Sequence, residues 1–174
     1  GGLSHWNPDT EKWTNRFGHE YESFIVRSVC EDSKGDIWVG TYSNGVYVLD
    51  GNTQRIKAHH TDRQGILSKN GFVFDILRDS NGDMWMAGMI GAIIKYDHVT
   101  GQFDEYPVRP VSTIAELDDS TLIMASNNQL LSLDKNTKEI KELLTDNMIQ
   151  DIEVTEGKIW VASNGNGLIC YDIA

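Results

Sequence analysis

One pattern recurs four times along these 174 residues and limits the chain to a narrow set of folds. The copies are VRSVCEDSKGDIWVGT from Val26, VFDILRDSNGDMWMAG from Val73, VSTIAELDDSTLIMAS from Val111 and IQDIEVTEGKIWVAS from Ile149. Each opens on two apolar residues three apart: Val26 and Val29, Val73 and Ile76, Val111 and Ile114, Ile149 and Ile152. A large apolar residue follows at Trp38, Trp85, Ile123 or Trp160, and after one spacer comes a pair of small residues. Short apolar runs broken by Asp and Gly turns read as strands, and a period of about 37–47 residues makes each copy one sheet that cannot bury both its faces alone. The expectation is all-β: four four-stranded antiparallel propeller blades, part of a larger propeller or of an oligomeric ring.

Within the first copy, strand one is Val26 to Glu31. Asp32 to Gly35 form the turn, Asp36 to Thr41 strand two and Gly45 to Leu49 strand three. Asp initiates such turns, and Gly35 and Gly82 supply a left-handed position. A second signature joins strands three and four: an apolar residue, Asp or Asn, then Thr three further on. It occurs at Asp50, Asp97 and Asp134, and again at Asn7. The Asp caps the turn. The blades are expected at about 25–60, 72–106, 110–143 and 148–173, with an outer strand near 11–17 that would complete the last blade and close the edge. Trp38, Trp85 and Trp160 recur with the blade, as residues that pack between blades do. Trp6 and Trp13 receive the same reading.

A formal charge of −11 argues against nucleic acid, whose binding needs clustered Lys and Arg. No stretch reaches the roughly 18 apolar residues of a membrane span, so no direct membrane contact is expected. Gly1-Gly2 reads as an excised boundary with no signal peptide. Cys30 and Cys170 lie on different copies without metal-ligand spacing. The Asp-rich turns lack the acidic residue that a calcium loop needs at position twelve, where Ser43 and Ile90 stand. His59 and His60, adjacent on a strand, point to opposite faces. No metal, no cofactor and no catalytic residue is expected: nucleophile elbow, phosphate loop and paired carboxylates are all missing. The acids are read as turn and outer-strand residues, most of them in solvent.

EDSKGDIWVGTYSNGVYVLD and GILSKNGFVFDILRDSNGDMWMAGMIGAIIKYD resemble the two-component-regulator propeller repeat. Its pattern is carried here by Leu67-Ser68, Asn70, Val73, Ile76, Asp79, Gly82 and Trp85, and by Val26, Val29, Asp32, Gly35, Trp38, Gly40, Thr41, Gly45 and Tyr47. The third copy departs from it, with Ile123 for Trp and no Gly after Asp118-Asp119. The resemblance implies the periplasmic sensor part of a Bacteroides-type hybrid two-component histidine kinase. Such a sensor responds to oligosaccharides and regulates polysaccharide-utilisation genes. It further implies a segment that is not itself an enzyme, an oligosaccharide or other small ligand, and further blades or a second copy of the chain as partners.

Loops between strands two and three, and those linking blades, share one face of a propeller and vary most here, which makes that face the expected binding surface. Tyr42, Asn44, His59, Arg63, Asn70, Asn128 and Asn164 are the ligand candidates. Amides suit sugar hydroxyls and aromatic faces suit the apolar side of a sugar ring. Arg16, His19, Tyr21, His60, Gln64, Phe72 and Asn166 lie in the same segments. Two other readings stay open: a protein–protein scaffold that contributes a dimer interface, and a propeller lyase with converging titratable groups at the axis.

Overall fold

A computed structural model describes residues 2–16, 25–61, 72–89, 92–145 and 148–172. All its regular structure is strand. β1 (Leu3–Asn7) and β2 (Lys12–Arg16) form a hairpin. Blade one holds β3 (Val26–Glu31), β4 (Ile37–Thr41), β5 (Val46–Leu49) and β6 (Ile56–His60) in sequential antiparallel order. Blade two holds β7 (Val73–Arg78), β8 (Met84–Gly88), β9 (Ala92–Tyr96) and β10 (Phe103–Pro107). Blade three holds β11 (Thr113–Asp118), β12 (Thr121–Ser126), β13 (Gln129–Asp134) and β14 (Ile140–Thr145). Blade four has three described strands, β15 (Ile149–Thr155), β16 (Lys158–Ser163) and β17 (Gly167–Asp172).

The apolar signatures become the packing between blades. Trp38, Val46 and Val48 of blade one meet Val73, Ile76, Met84 and Met86 of blade two. Trp85, Ala87 and Ile93 of blade two meet Val111, Ile114 and Leu122 of blade three. Ile123, Ala125 and Leu130 of blade three meet Ile149, Ile152 and Ile159 of blade four. Second strands are apolar on both faces because both faces are covered; β8 is buried at every residue. Gly40 shows why the small residue is needed: a Cβ there would stand 3.0 Å from Val73 Cγ1 and 3.3 Å from Ile76 Cδ1.

The turns follow one plan. Asp50 Oδ1 accepts from the amides of Asn52 and Thr53 at 3.1 and 2.7 Å. Asp97 does the same with Val99 and Thr100, Asp134 with Asn136 and Thr137, and Asn7 with Asp9 and Thr10. These bonds hold the Asp50, Asp97 and Asp134 carboxyls below the usual range. Each turn ends in the left-handed region, at Glu11, Gln54, Gly101 and Lys138.

Two expectations differ from the structure. The outer strand expected near 11–17 at the edge of the last blade is β2, which runs along β1 from Leu3↔Arg16 to Asn7↔Lys12. Leu3 packs on Val39, Tyr47 and Leu49, which seats this hairpin beside blade one. Trp6 and Trp13 pack on each other, ring centroids 5.1 Å apart, and are 40% and 65% exposed, so they fill no junction between blades among the described residues.

Candidate functional site

At one end of every sheet, the loop after the second strand binds the backbone just before or at the start of the first. Tyr42 N donates to Ile25 O, Met89 N to Phe72 O and Asn164 N to Met148 O; in blade three Ser112 N donates to Ala125 O at the end of the second strand, and Ile149 N of blade four reaches across to Asn127 O. This end is the expected binding face. It presents exposed apolar side chains, Ile25, Tyr42, Met89 and Met148, among amides and charges.

Its most built region spans blades one and two. Tyr42 meets Phe72 edge-on, centroids 4.8 Å apart at 81°, and lies 6.5 Å from Phe74. Arg27 stands 5.6 Å over the Phe74 ring. Tyr42 remains 42% exposed, so a face of this aromatic cluster is open to solvent. Beside it, His59 Nε2 donates to Asn44 O at 2.8 Å while the imidazole stacks on Tyr47 at 3.8 Å and 9°. His60 turns to the other face and stacks on Trp38, and burial, then the neighbouring His59, holds its pKa below the usual imidazole value. The two histidines diverge as strand geometry requires, and no group of three metal-ligating side chains occurs among the described residues.

Asn44 and His59 are thus brought together, and Tyr42 lies in the same loop as Asn44. Asn128 and Asn164 lie exposed on the same face, one on blade three and one on blade four. Arg63 and Asn70 lie outside the described residues. Sequence reading missed a polar chain on blade three: Arg109 donates to Gln129 Oε1 at 2.9 Å, and Gln129 Nε2 to Glu142 Oε2 at 2.5 Å. Its members come from the link between blades two and three and from β13 and β14, and carry no shared spacing. Ser126 and Ser163 keep buried hydroxyls without a partner beneath the loops of blades three and four, whereas the equivalent Thr41 donates to Gly45 O.

Two further polar systems were not foreseen. Along the innermost strands, the third residue of each copy links to the next blade. Ser28 Oγ donates to Asp75 Oδ1 at 3.1 Å, Ile114 N to Asp75 Oδ2 at 3.0 Å, and Thr113 Oγ1 lies 3.2 Å from both Asp75 and Asp151. A β-bulge at this position in blades one, two and four turns the residue toward its neighbour. Burial pushes the Asp75 carboxyl up, against the lowering effect of these bonds. Asp75 therefore corrects the reading of the acids as solvated turn and outer-strand groups. Its signal was the recurring Ser, Asp, Thr, Asp between the apolar pair of each copy.

The second system lies at the opposite face, where Asp32 Oδ2 and Asp79 Oδ2 accept from the indoles of Trp38 and Trp85 at 2.9 and 2.8 Å. Thr155 substitutes for the acid on Trp160. Asp79 also holds Lys135 of blade three at 3.1 Å, and Lys135 reaches Glu116 at 2.6 Å. Where blade three lacks its Trp and turn glycine, an ion cluster joins it to blade two.

Residues 22–43 and 62–89 match the family model described as two component regulator propeller. They cover the inner half of blades one and two together with the segments leading into them. Among solved structures, the chain is similar to the extracellular domain of a hybrid two-component system from B. thetaiotaomicron, at 17% identity and a TM-score of 0.69 over 99% of this chain. It spans 31% of that extracellular domain's chain. It is also similar to the computationally designed Ika4 protein, at 13% identity and TM-score 0.68 over 89% of this chain and 95% of that one. The designed Ika8 protein aligns at 11% identity and TM-score 0.66, over 86% of this chain and 46% of that one. These likenesses show a propeller fold. No curated protein matches the chain.

Proposed function

We propose that this regulator-propeller segment is the ligand-sensing, extracytoplasmic part of a membrane-bound hybrid two-component sensor, in the periplasm, with a histidine kinase in the parent protein. Its ligand is an oligosaccharide, and its output regulates polysaccharide-utilisation genes. The observation that carries the ligand class is the half-open aromatic cluster of Tyr42, Phe72 and Phe74, with Arg27 above it and Asn44 and His59 alongside. An aromatic face takes the apolar side of a sugar ring, and neighbouring amide and cationic donors take its hydroxyls. The regulator repeats and the similar extracellular domain support the sensor role. Binding would signal by favouring one packing of propeller and partner over another.

The segment is read as non-catalytic. Asp75, the one described acid whose pKa is raised, spends both oxygens on strand-to-strand hydrogen bonds. Isothermal titration of an oligosaccharide panel tests the proposal, using the ectodomain that contains this segment. At least one sugar should bind, and Tyr42→Ala should weaken it by up to about tenfold, the worth of one aromatic contact. Silence across the panel rejects the glycan role. Binding that ignores Tyr42→Ala moves the site elsewhere.

A further inference from the structure

The bulges on the innermost strands set three side chains apart from the common plan of the blades. In blades one, two and four the pairing of first strand with second skips one residue, between Val26 and Ser28, Val73 and Asp75, and Ile149 and Asp151. The skipped residues are Arg27, Phe74 and Gln150. Their neighbours repeat from copy to copy, an apolar residue before and Ser or Asp after. The skipped residues share no chemistry: one is a cation, one an aromatic ring, one an amide. A position that varies while the residues on both sides of it are held to one plan is not chosen by blade packing. Bulges re-aim side chains beside binding sites.

Two of these side chains meet across the junction of blades one and two. Arg27, exposed, holds its guanidinium 5.6 Å over the Phe74 ring, and that ring lies 6.5 Å from the half-open Tyr42. A ring takes a guanidinium by its flat face and leaves the N–H groups at its edge to a ligand. Three lysines nearer the opposite face end on carboxylates instead. Lys57 and Lys95 each lie 2.6 Å from an aspartate, Asp36 and Asp83, and Lys135 pairs with Asp79 and Glu116. Asp75, next to Phe74, is committed to Ser28, Thr113 and Ile114. A planar fork of donors matches an oxyanion with two oxygens better than a lone hydroxyl.

Resting on the glycan reading above, we propose that Arg27 is the specificity-determining residue of the aromatic site and that the ligand is an acidic oligosaccharide, one that carries carboxylate or sulfate groups. The apolar side of the acidic sugar lies on Tyr42 and its anionic group meets Arg27. A net charge of −11 repels anions from the chain at large, so recognition of an acidic sugar has to come from a cation placed at the site.

Titration calorimetry on the ectodomain that contains this segment tests this with matched pairs. Uronic-acid oligosaccharides are each compared with their carboxyl-reduced neutral form, and sulfated oligosaccharides with their desulfated form. At least one acidic member should bind about tenfold or more tightly than its neutral match, and the class it belongs to identifies the anion. Arg27→Gln should abolish that ratio, and Arg27→Lys, which keeps the charge but not the fork, should retain part of it. Tyr42→Ala should weaken both members of the pair alike. The ratio is read within each protein, so a general loss of binding does not imitate the effect of Arg27. Acidic members that bind no better than their neutral matches overturn the proposal and leave the glycan role standing. An acidic preference that survives Arg27→Gln overturns it too. Silence of every sugar, acidic and neutral, rejects both.

Discussion

At the scale of single residues, the aspartates divide by what surrounds them. Asp79 is 1% exposed at its side chain and accepts from Trp85, from two backbone amides and from Lys135. Asp79→Ala would leave a buried indole unpaired and Lys135 with Glu116 alone, at a cost of about 2–3 kcal/mol. Asp32→Ala, whose carboxylate is partly exposed, should cost about 1 kcal/mol. Urea denaturation of the two variants checks the ratio, and equal losses would refute it. Asp75 gives a pH signature. Burial raises its folded pKa, so the folded state holds the proton more tightly than the unfolded chain. Its contribution is complete below the ordinary carboxyl range and is lost as pH rises through the raised value. Asp32 and Asp83 run the other way. Burial tends to raise them, but Trp38 and backbone amides, and Lys95 with His98, lower them, so their stabilisation is lost on acidification. Both are present in Asp75→Asn as well, so the stability difference between that variant and the parent isolates Asp75. The difference should shift in favour of the variant as pH rises through the window. A pH-independent difference would contradict the assignment.

At the scale of the element, a blade tolerates change where its neighbour is a side-chain tip and not where it is backbone. A Cβ on Gly40 meets the ends of Val73 and Ile76, and the equivalent residues are Ala87, Ala125 and Ala162. A Cβ on Gly88 would lie 1.9 Å from the Phe72 carbonyl oxygen. Gly40→Ala should therefore cost below about 1 kcal/mol and Gly88→Ala about 1–3 kcal/mol. Thermal melts of the pair read the contrast, and a reversed order would mean that the loop after β8 rearranges. The strands were legible because a two-sided apolar run bounded by Asp and Gly has little else to become. The Asp–Trp hydrogen bonds were less so. Asp32 and Asp79 each precede a Trp by six residues, but only the hairpin's closure brings carboxylate to indole. The left-handed Gln54 and Lys138 were invisible for a related reason: the Asp cap holds the turn, so no glycine is required.

At the scale of the whole molecule, Cys30 sits on the innermost strand of blade one and Cys170 on the third strand of blade four, both as free thiols. Cys170 is exposed. Burial pushes the Cys30 thiol up, which keeps it protonated and slow to react. A thiol reagent should modify Cys170 fast and Cys30 slowly, and reductant should leave the melting curve unchanged. A reductant-sensitive melt would indicate a bridge.

The repeat in the sequence alone determined that the chain forms radial blades, because each copy has apolar residues for two faces and no means of covering both. It also determined where the strands turn, since Asp, Gly and Thr act on their immediate neighbours. Tertiary structure alone decided which residues meet across blades: the aromatic cluster around Tyr42, the Ser28–Asp75–Thr113–Asp151 series, the Asp79–Lys135–Glu116 ions and the seat of β1 on blade one. These contacts join residues tens of positions apart. Their partners are set by the angle at which one sheet lies on the next, and no local pattern of side chains encodes that angle.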